Sequence, residues 1–162
     1  MKKIHNILAI ALLLTSSAVM AQQESVISFY RQHMNLVNPA YVGVDSMTIA
    51  TSSLRKQWTG VAEAPETQTV SFGTYLGKNV GFGMTVIHDQ TFVEKQTFVS
   101  VDFSYNLKMS ETADMYFGIK AGGNTYNVNP SGLETYNLQS DPALGSINTF
   151  NPNLGVGALY KD

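Results

Sequence analysis

The stretch Thr97–Phe98–Val99–Ser100–Val101–Asp102–Phe103–Ser104–Tyr105–Asn106–Leu107–Lys108–Met109 sorts its side chains into two kinds. Drawn as an extended chain, one face takes Thr97, Val99, Val101, Phe103, Tyr105, Leu107 and Met109. The other takes Phe98, Ser100, Asp102, Ser104, Asn106 and Lys108. Apart from Phe98 the split is apolar against polar over thirteen residues, the period of two that marks a strand. A strand of that length exceeds the five or six residues usual in globular sheets.

The neighbouring segments repeat the pattern. Val70, Phe72 and Leu76 alternate with Thr69, Ser71, Gly73 and Tyr75. Val80, Phe82, Met84 and Val86 alternate with Gly81, Gly83 and Thr85. Met115, Phe117, Ile119 and Ala121 alternate with Tyr116, Gly118, Lys120 and Gly122, and Leu154, Val156, Ala158 and Tyr160 with Gly155, Gly157 and Leu159. Residues 47–58 read as a further strand with less distinct faces. Glycine normally weakens a strand interior because it adds nothing to packing. Here the glycines fall mainly opposite the large apolar residues. A soluble sandwich buries its large residues and sets charge outside. Weakly polar, glycine-rich faces suit instead a wall curved around an interior, with the apolar band turned to lipid, as an outer-membrane β-barrel requires.

Composition agrees. The chain has 162 residues, 44% hydrophobic and only 14% charged, against about 25% charged in ordinary soluble domains. The absence of cysteine excludes disulfides, thiolate metal sites, a cysteine nucleophile and a lipoprotein anchor. A net charge of −2 gives no nucleic-acid footprint. Met1–Lys2–Lys3, the apolar run Ile7–Leu14 and the small residues ending Val19–Met20–Ala21 form a secretory signal peptide, with cleavage expected after Ala21. The apolar run is too short to span about 30 Å of hydrocarbon. Removing residues 1–21 leaves eight basic against twelve acidic residues.

The expected connections alternate in length. Thr59–Glu66, Asp89–Lys95 and about 128–150 are long; Gly77–Lys78–Asn79 and Ser110–Ala113 are short. Outer-membrane barrels pair short periplasmic turns with long external loops in this way. Six strands are fewer than the roughly eight of the smallest single-chain barrels, and an open sheet leaves two edges that lipid cannot satisfy. The sequence is therefore expected to hold the opening part of a larger barrel: residues 22–46 a periplasmic lead-in, 47–162 about six antiparallel strands.

Three elements stand in order: Asn38–Pro39–Ala40–Tyr41–Val42–Gly43, then Arg55–Lys56–Gln57–Trp58–Thr59–Gly60, then Pro65–Glu66–Thr67. Together they resemble the PorP/SprF family of Bacteroidetes outer-membrane proteins, which opens with a signal peptide, an NPAYxG element, and RxQWxG and PxT elements flanking the first loop. The resemblance covers essentially the whole mature chain, although members are usually longer. It departs at Gln22–Gln23–Glu24, where a Gln-Asp-Pro opening is common. It implies a non-enzymatic part in type IX secretion and gliding motility. The protein would assist export or surface attachment of cargo such as an adhesin, with translocon and periplasmic components, that cargo and outer-membrane lipid as partners. The motif residues Asn38, Pro39, Ala40, Tyr41, Gly43, Arg55, Gln57, Trp58, Gly60, Pro65 and Thr67 become candidates for partner binding.

Each residue also has a plainer reading. Asn before proline is driven from helical backbone, so Asn38–Tyr41 makes a rigid turn into the first strand, or a plug or docking element. Trp58 at a strand end suits the membrane interface, or a cargo contact. Arg55 and Lys56 point to opposite faces; Arg55 is expected to pair across the lumen with Asp102 or another acid. Asp102, Lys108 and Lys120 share the lumen face, where a salt-bridge network fits. His88, Asp89 and Glu94 fall in the expected external loop with no second histidine near, which does not make a metal site. Gly81–Phe82–Gly83 lacks the strand–turn–helix setting of a dinucleotide site. No catalytic, cofactor or metal residue is expected. A porin-like channel shares every barrel feature, and a secreted soluble β-sandwich remains the other alternative.

Overall fold

A computed structural model describes residues 30–130 and 145–162. The proposed signal peptide, 1–21, lies outside the described residues. Six antiparallel strands form one sheet in chain order: β1 (Ile49–Lys56), β2 (Glu66–Gly77), β3 (Val80–Thr91), β4 (Glu94–Lys108), β5 (Asp114–Val128) and β6 (Ile147–Lys161). The sheet is open, with β1 and β6 at its edges. Among the described residues no helix is long and apolar enough to cross a membrane.

Register turns the alternation of each strand into rows across the sheet. One outer row is Ser52, Val70, Val86, Val99, Gly123 and Pro152. The next is Ala50, Phe72, Met84, Val101, Ala121 and Leu154, followed by Thr74, Phe82, Phe103, Ile119 and Val156. Phe82 and Phe103 meet edge to face with ring centroids 5.3 Å apart, the favoured aromatic geometry. The band ends on Leu107, Met115 and Tyr160. From Val99 to Leu107, at about 3.3 Å per residue and a tilt of about 40°, it rises about 20 Å, close to the apolar height of a membrane barrel. At the other end the row Lys56, Glu66, Gln90, Lys95, Asn127 and Asn148 is wholly polar.

This band is exposed, with Leu154 at 84% and Val156 at 86%. The buried face is polar: Thr67, Thr69, Ser71, Thr85, Ser100, Asp102, Ser104 and Lys120. A sheet with its hydroxyls inside and its Phe, Val and Leu outside is the inverse of a soluble sandwich. It is the arrangement that lipid stabilises.

Two expectations need correction. Asp89–Lys95 is not a long loop, since β3 runs to Thr91 and β4 begins at Glu94, leaving only Phe92–Val93 between them. Phe92 has φ 53, as a tight hairpin demands. The connections therefore do not alternate strictly in length: 78–79 and 92–93 are tight, 109–113 is short, and 57–65 and 129–146 are long. The reason is chemical. Beyond the apolar band both faces of the strands turn polar, so the two-residue contrast fades while the hydrogen-bond ladder continues. His88, Asp89 and Glu94 consequently stand in strands.

Candidate functional site

Residues 30–46 lie on the polar face of the sheet as a chain of short turns: Tyr30–His33, one α-helical turn Met34–Val37, Pro39–Tyr41 and Val44–Ser46. Asn38 divides them. Pro39 pushes it to extended backbone (φ −145°, ψ 112°), which stops the helical turn and frees the side chain to cap the next. Asn38 Oδ1 accepts from Ala40 N at 3.0 Å, while Nδ2 donates to the carbonyl of Ala158 in β6 at 2.9 Å.

Below this turn the sheet presents a row of Gly81, Ser104, Gly118 and Gly157. A Cβ on Gly118 would overlap Ala40 N and the Pro39 carbonyl carbon, one on Gly157 would overlap Asn38 Oδ1, and one on Gly81 would overlap the Val42 carbonyl. The glycines are gaps into which the backbone of 38–42 sinks. Gly43, at φ 74, then turns the chain against Gly81, where its own Cβ would come within 2.8 Å of the Gly81 Cα.

The remaining contacts are polar and reach all six strands. Buried His33 is hydrogen-bonded through Nδ1 to Ser71 Oγ of β2 at 2.8 Å and to Thr51 Oγ1 of β1 at 3.1 Å. Asn35 Nδ2 donates to Thr85 Oγ1 of β3 at 2.9 Å. Ser104 Oγ of β4 donates to the Val42 carbonyl. Lys120 of β5 donates to the Asn35 carbonyl at 2.8 Å and lies 3.1 Å from Asp102 Oδ1, its cross-strand partner. Asp45 pairs with Lys161 of β6. Pro39, Ala40 and Val42 are the segment's buried apolar residues. Hydrogen bonds of this kind contribute about 0.5–1.5 kcal/mol each, more where one group is charged. Burial lowers the proton affinity of the His33 ring, so its neutral form is the one the site holds.

The second cluster lies at the opposite end of β1 and β2. Arg55 stands beside Thr67 in the ladder, and Thr67 Oγ1 donates to Asp89 Oδ1 at 3.0 Å. Gln57 N donates to the Pro65 carbonyl at 3.0 Å, closing the 57–65 loop at its base. Trp58 (φ 52) and Gly60 (φ 90) make the sharp turns beyond it, and the Trp58 ring is exposed. From Tyr75, beside Gly81, to Thr67 is eight positions along β2, about 26 Å at about 3.3 Å per residue.

The match to the family model "Type IX secretion system membrane protein PorP/SprF" spans residues 19–162. The chain belongs to the PorP/SprF family. Membership makes it a membrane component of the type IX secretion system, and it accounts for the inverted sheet as barrel wall. Searches of curated proteins and of solved structures returned no match.

In this PorP/SprF chain the motif residues fall into two groups. Asn38, Pro39, Ala40, Tyr41 and Gly43 gather on the inner face over the glycine row. Arg55, Gln57, Trp58, Gly60, Pro65 and Thr67 gather around the first loop. Arg55 does not meet Asp102: three inner-face rows, about 20 Å along the strands, separate them, and Lys120 takes Asp102 instead. Lys108 faces Asp114 at the far end of the ladder. His33 and His88 serve opposite faces of the sheet. His88 Nδ1 is hydrogen-bonded to Thr97 Oγ1 at 2.9 Å in an outer row. Sequence reasoning missed His33 and Asn35 as anchors, and it read the strand glycines as curvature alone. The available signal was the coincidence of glycines at one level of β3, β5 and β6.

Proposed function

We propose that this PorP/SprF chain is exported through residues 1–21, resides in the outer membrane and acts by binding rather than chemistry. In this reading it assists export or surface attachment of a type IX cargo such as an adhesin, and supports gliding where that adhesin drives movement. The observation that carries the reading is the inner face. Residues 33–46 occupy the polar surface that a porin would leave to water, and they occupy it by polypeptide recognition. The end bearing 57–65 and 129–146 is taken as external, and the end bearing 78–79 and 109–113 as periplasmic, facing the translocon. Trp58 then lies at the outer interface, within reach of lipid or cargo.

Gene deletion tests it. Surface display of one exported protein should be lost while other outer-membrane proteins stay in place. Unchanged display together with reduced uptake of small hydrophilic solutes would favour the channel instead. A protein that extracts into buffer without detergent would favour the soluble sandwich.

A further inference from the structure

The inner face holds a polypeptide, and beside the side-chain anchors His33, Asn35, Asn38 and Asp45 it grips that chain through main-chain groups that any polypeptide owns. Lys120 and Ser104 donate to main-chain carbonyls, those of Asn35 and Val42. The gaps at Gly118 and Gly81 admit main-chain atoms of residues 39–42. The Asn38 side chain, seated over Gly157, is the most residue-specific contact of the turn.

The occupant is also poorly suited to permanence. Its buried apolar side chains are small, Pro39, Ala40 and Val42, and its seat is mainly hydroxyls, glycines and one ion pair, with the Tyr116 ring beside Asp45 as an aromatic part. Departure of the segment uncovers a largely polar surface that water wets, so less hydrophobic energy opposes it than would oppose the opening of an apolar core. The strands, by contrast, keep a continuous ladder. At the junction with β1 the backbone is left-handed at Gly43, Asp45 and Ser46 in close succession, φ 74, 58 and 55. Asp45 and Ser46 carry side chains, so the junction is held in a strained conformation.

We propose that residues 33–46 are a displaceable occupant of a peptide seat on the inner face, and that a segment of the exported polypeptide takes their place. The partner is a polypeptide segment with small residues where the glycine gaps lie and carbonyls within reach of Lys120 and Ser104. The proposal rests on the reading of this protein as a cargo-binding component of type IX secretion.

The chain has no cysteine, so an engineered pair can lock the seat unambiguously. A Cβ at Gly83 would stand 2.8 and 3.2 Å from the two Val42 methyl groups, which places Val42→Cys and Gly83→Cys at disulfide range. Cells carrying the double variant are grown with and without a thiol reductant, and cargo on the surface is quantified. Display should fall at least tenfold when the pair is oxidised and return on reduction. If the reduced double variant does not accumulate in the membrane, Asn35→Cys with Thr85→Cys, joined by a short bis-thiol crosslinker, replaces it. Full display with the lock closed overturns the displacement. The gene deletion separates the two failures: display lost on deletion but untouched by the lock refutes the seat alone, whereas display untouched by deletion refutes the cargo reading itself. In parallel, Ala40→Cys should react with an impermeant maleimide at least tenfold faster in cells exporting cargo. Equal rates overturn the proposal independently.

Discussion

Asp102 and Phe103 are neighbours in β4, yet they inhabit different solvents. Asp102 has no exposed surface, faces Lys120 and lies under the 33–46 segment, while Phe103 points out beside Phe82 with 44% of its surface bare. One hydrogen-bond ladder serves both faces, so what distinguishes them is the company that each keeps. The inner face is held by specific pairs whose members cannot be removed singly. The outer face is held by a bulk solvent, lipid, that asks only that no charge enter it.

The contrast breaks most readily from the inside. Asp102→Ala leaves the Lys120 ammonium buried with no counter-charge, a loss of about 3–5 kcal/mol for a buried pair. Denaturant titration of the protein refolded into lipid vesicles should show it. Asp102→Ala combined with Lys120→Met should recover most of the loss, because an apolar replacement needs no partner. A double variant as weak as the single one would mean that the pair is not what stabilises this face.

On the outer face the same experiment carries the opposite lesson. Phe103→Arg has no pair to break, yet a cation at the middle of the band costs about 2–4 kcal/mol in a lipid-facing strand. The cost should shrink towards zero for an arginine replacing Gln90, in the polar row. Equal vesicle stability of Phe103→Arg and the parent would show that the outer face does not meet lipid.

The glycine row of the inner face comes next. Gly118→Val forces a branched side chain into the Pro39–Ala40 backbone, and overpacking of this sort costs about 1–3 kcal/mol. The segment should yield before the ladder does. Proteolysis around residues 38–46 should rise while the strands stay protected; loss of both together would mean that sheet and segment form one cooperative unit.

The same contrast explains how much could be read in advance. Outer-facing residues such as Val99, Val101, Phe103 and Ile119 announce themselves through period two, and five of the six strands were legible from them, with 47–58 fainter. That signal vanishes where both faces are polar, so the extension of β3 through His88–Thr91 and of β4 back to Glu94 went unread. The three motif elements were legible as a family resemblance, but not their placement. Nothing in Gly118 or Gly157 says whether a strand glycine makes room for curvature or for an approaching backbone. Long-range pairs such as Asn38 with Ala158, or His33 with Ser71, carry no local pattern at all. Asp102 and Lys120 could be placed on one face from alternation, but their pairing needed the register.

A smaller effect tests the side-chain anchor at the turn over the glycine row. Asn38→Ala removes both the cap on Ala40 N and the bond to the Ala158 carbonyl, about 1 kcal/mol for a cap of this kind. Hydrogen exchange at the amides of 40–42 should accelerate about fivefold, the factor corresponding to about 1 kcal/mol, with the β2–β3 amides unchanged. Asn38→Asp keeps the cap acceptor but loses the donor to β6, so it should fall between the two. If Asn38→Asp behaves like the parent, the bond to β6 contributes nothing and only the turn matters.

The gentlest lever is pH, acting through His33. The ring ordinarily titrates near 6.5, and burial against Ser71 and Thr51 lowers that value in the seated segment. Below about 6.5 the released segment binds a proton that the seated one resists, so seating weakens as pH falls, until the lowered value is passed and the loss levels off. Above about 6.5 both states are neutral at this ring and the seat is at full strength. Exchange protection of residues 40–42, corrected for intrinsic rates, should therefore be flat from pH 8 to 7 and decline from about 6.5 towards 5. His33→Gln keeps hydrogen-bonding capacity but cannot titrate in this range, and its protection should stay level. A decline of the same slope in His33→Gln would move the pH response away from the inner face and onto some other group.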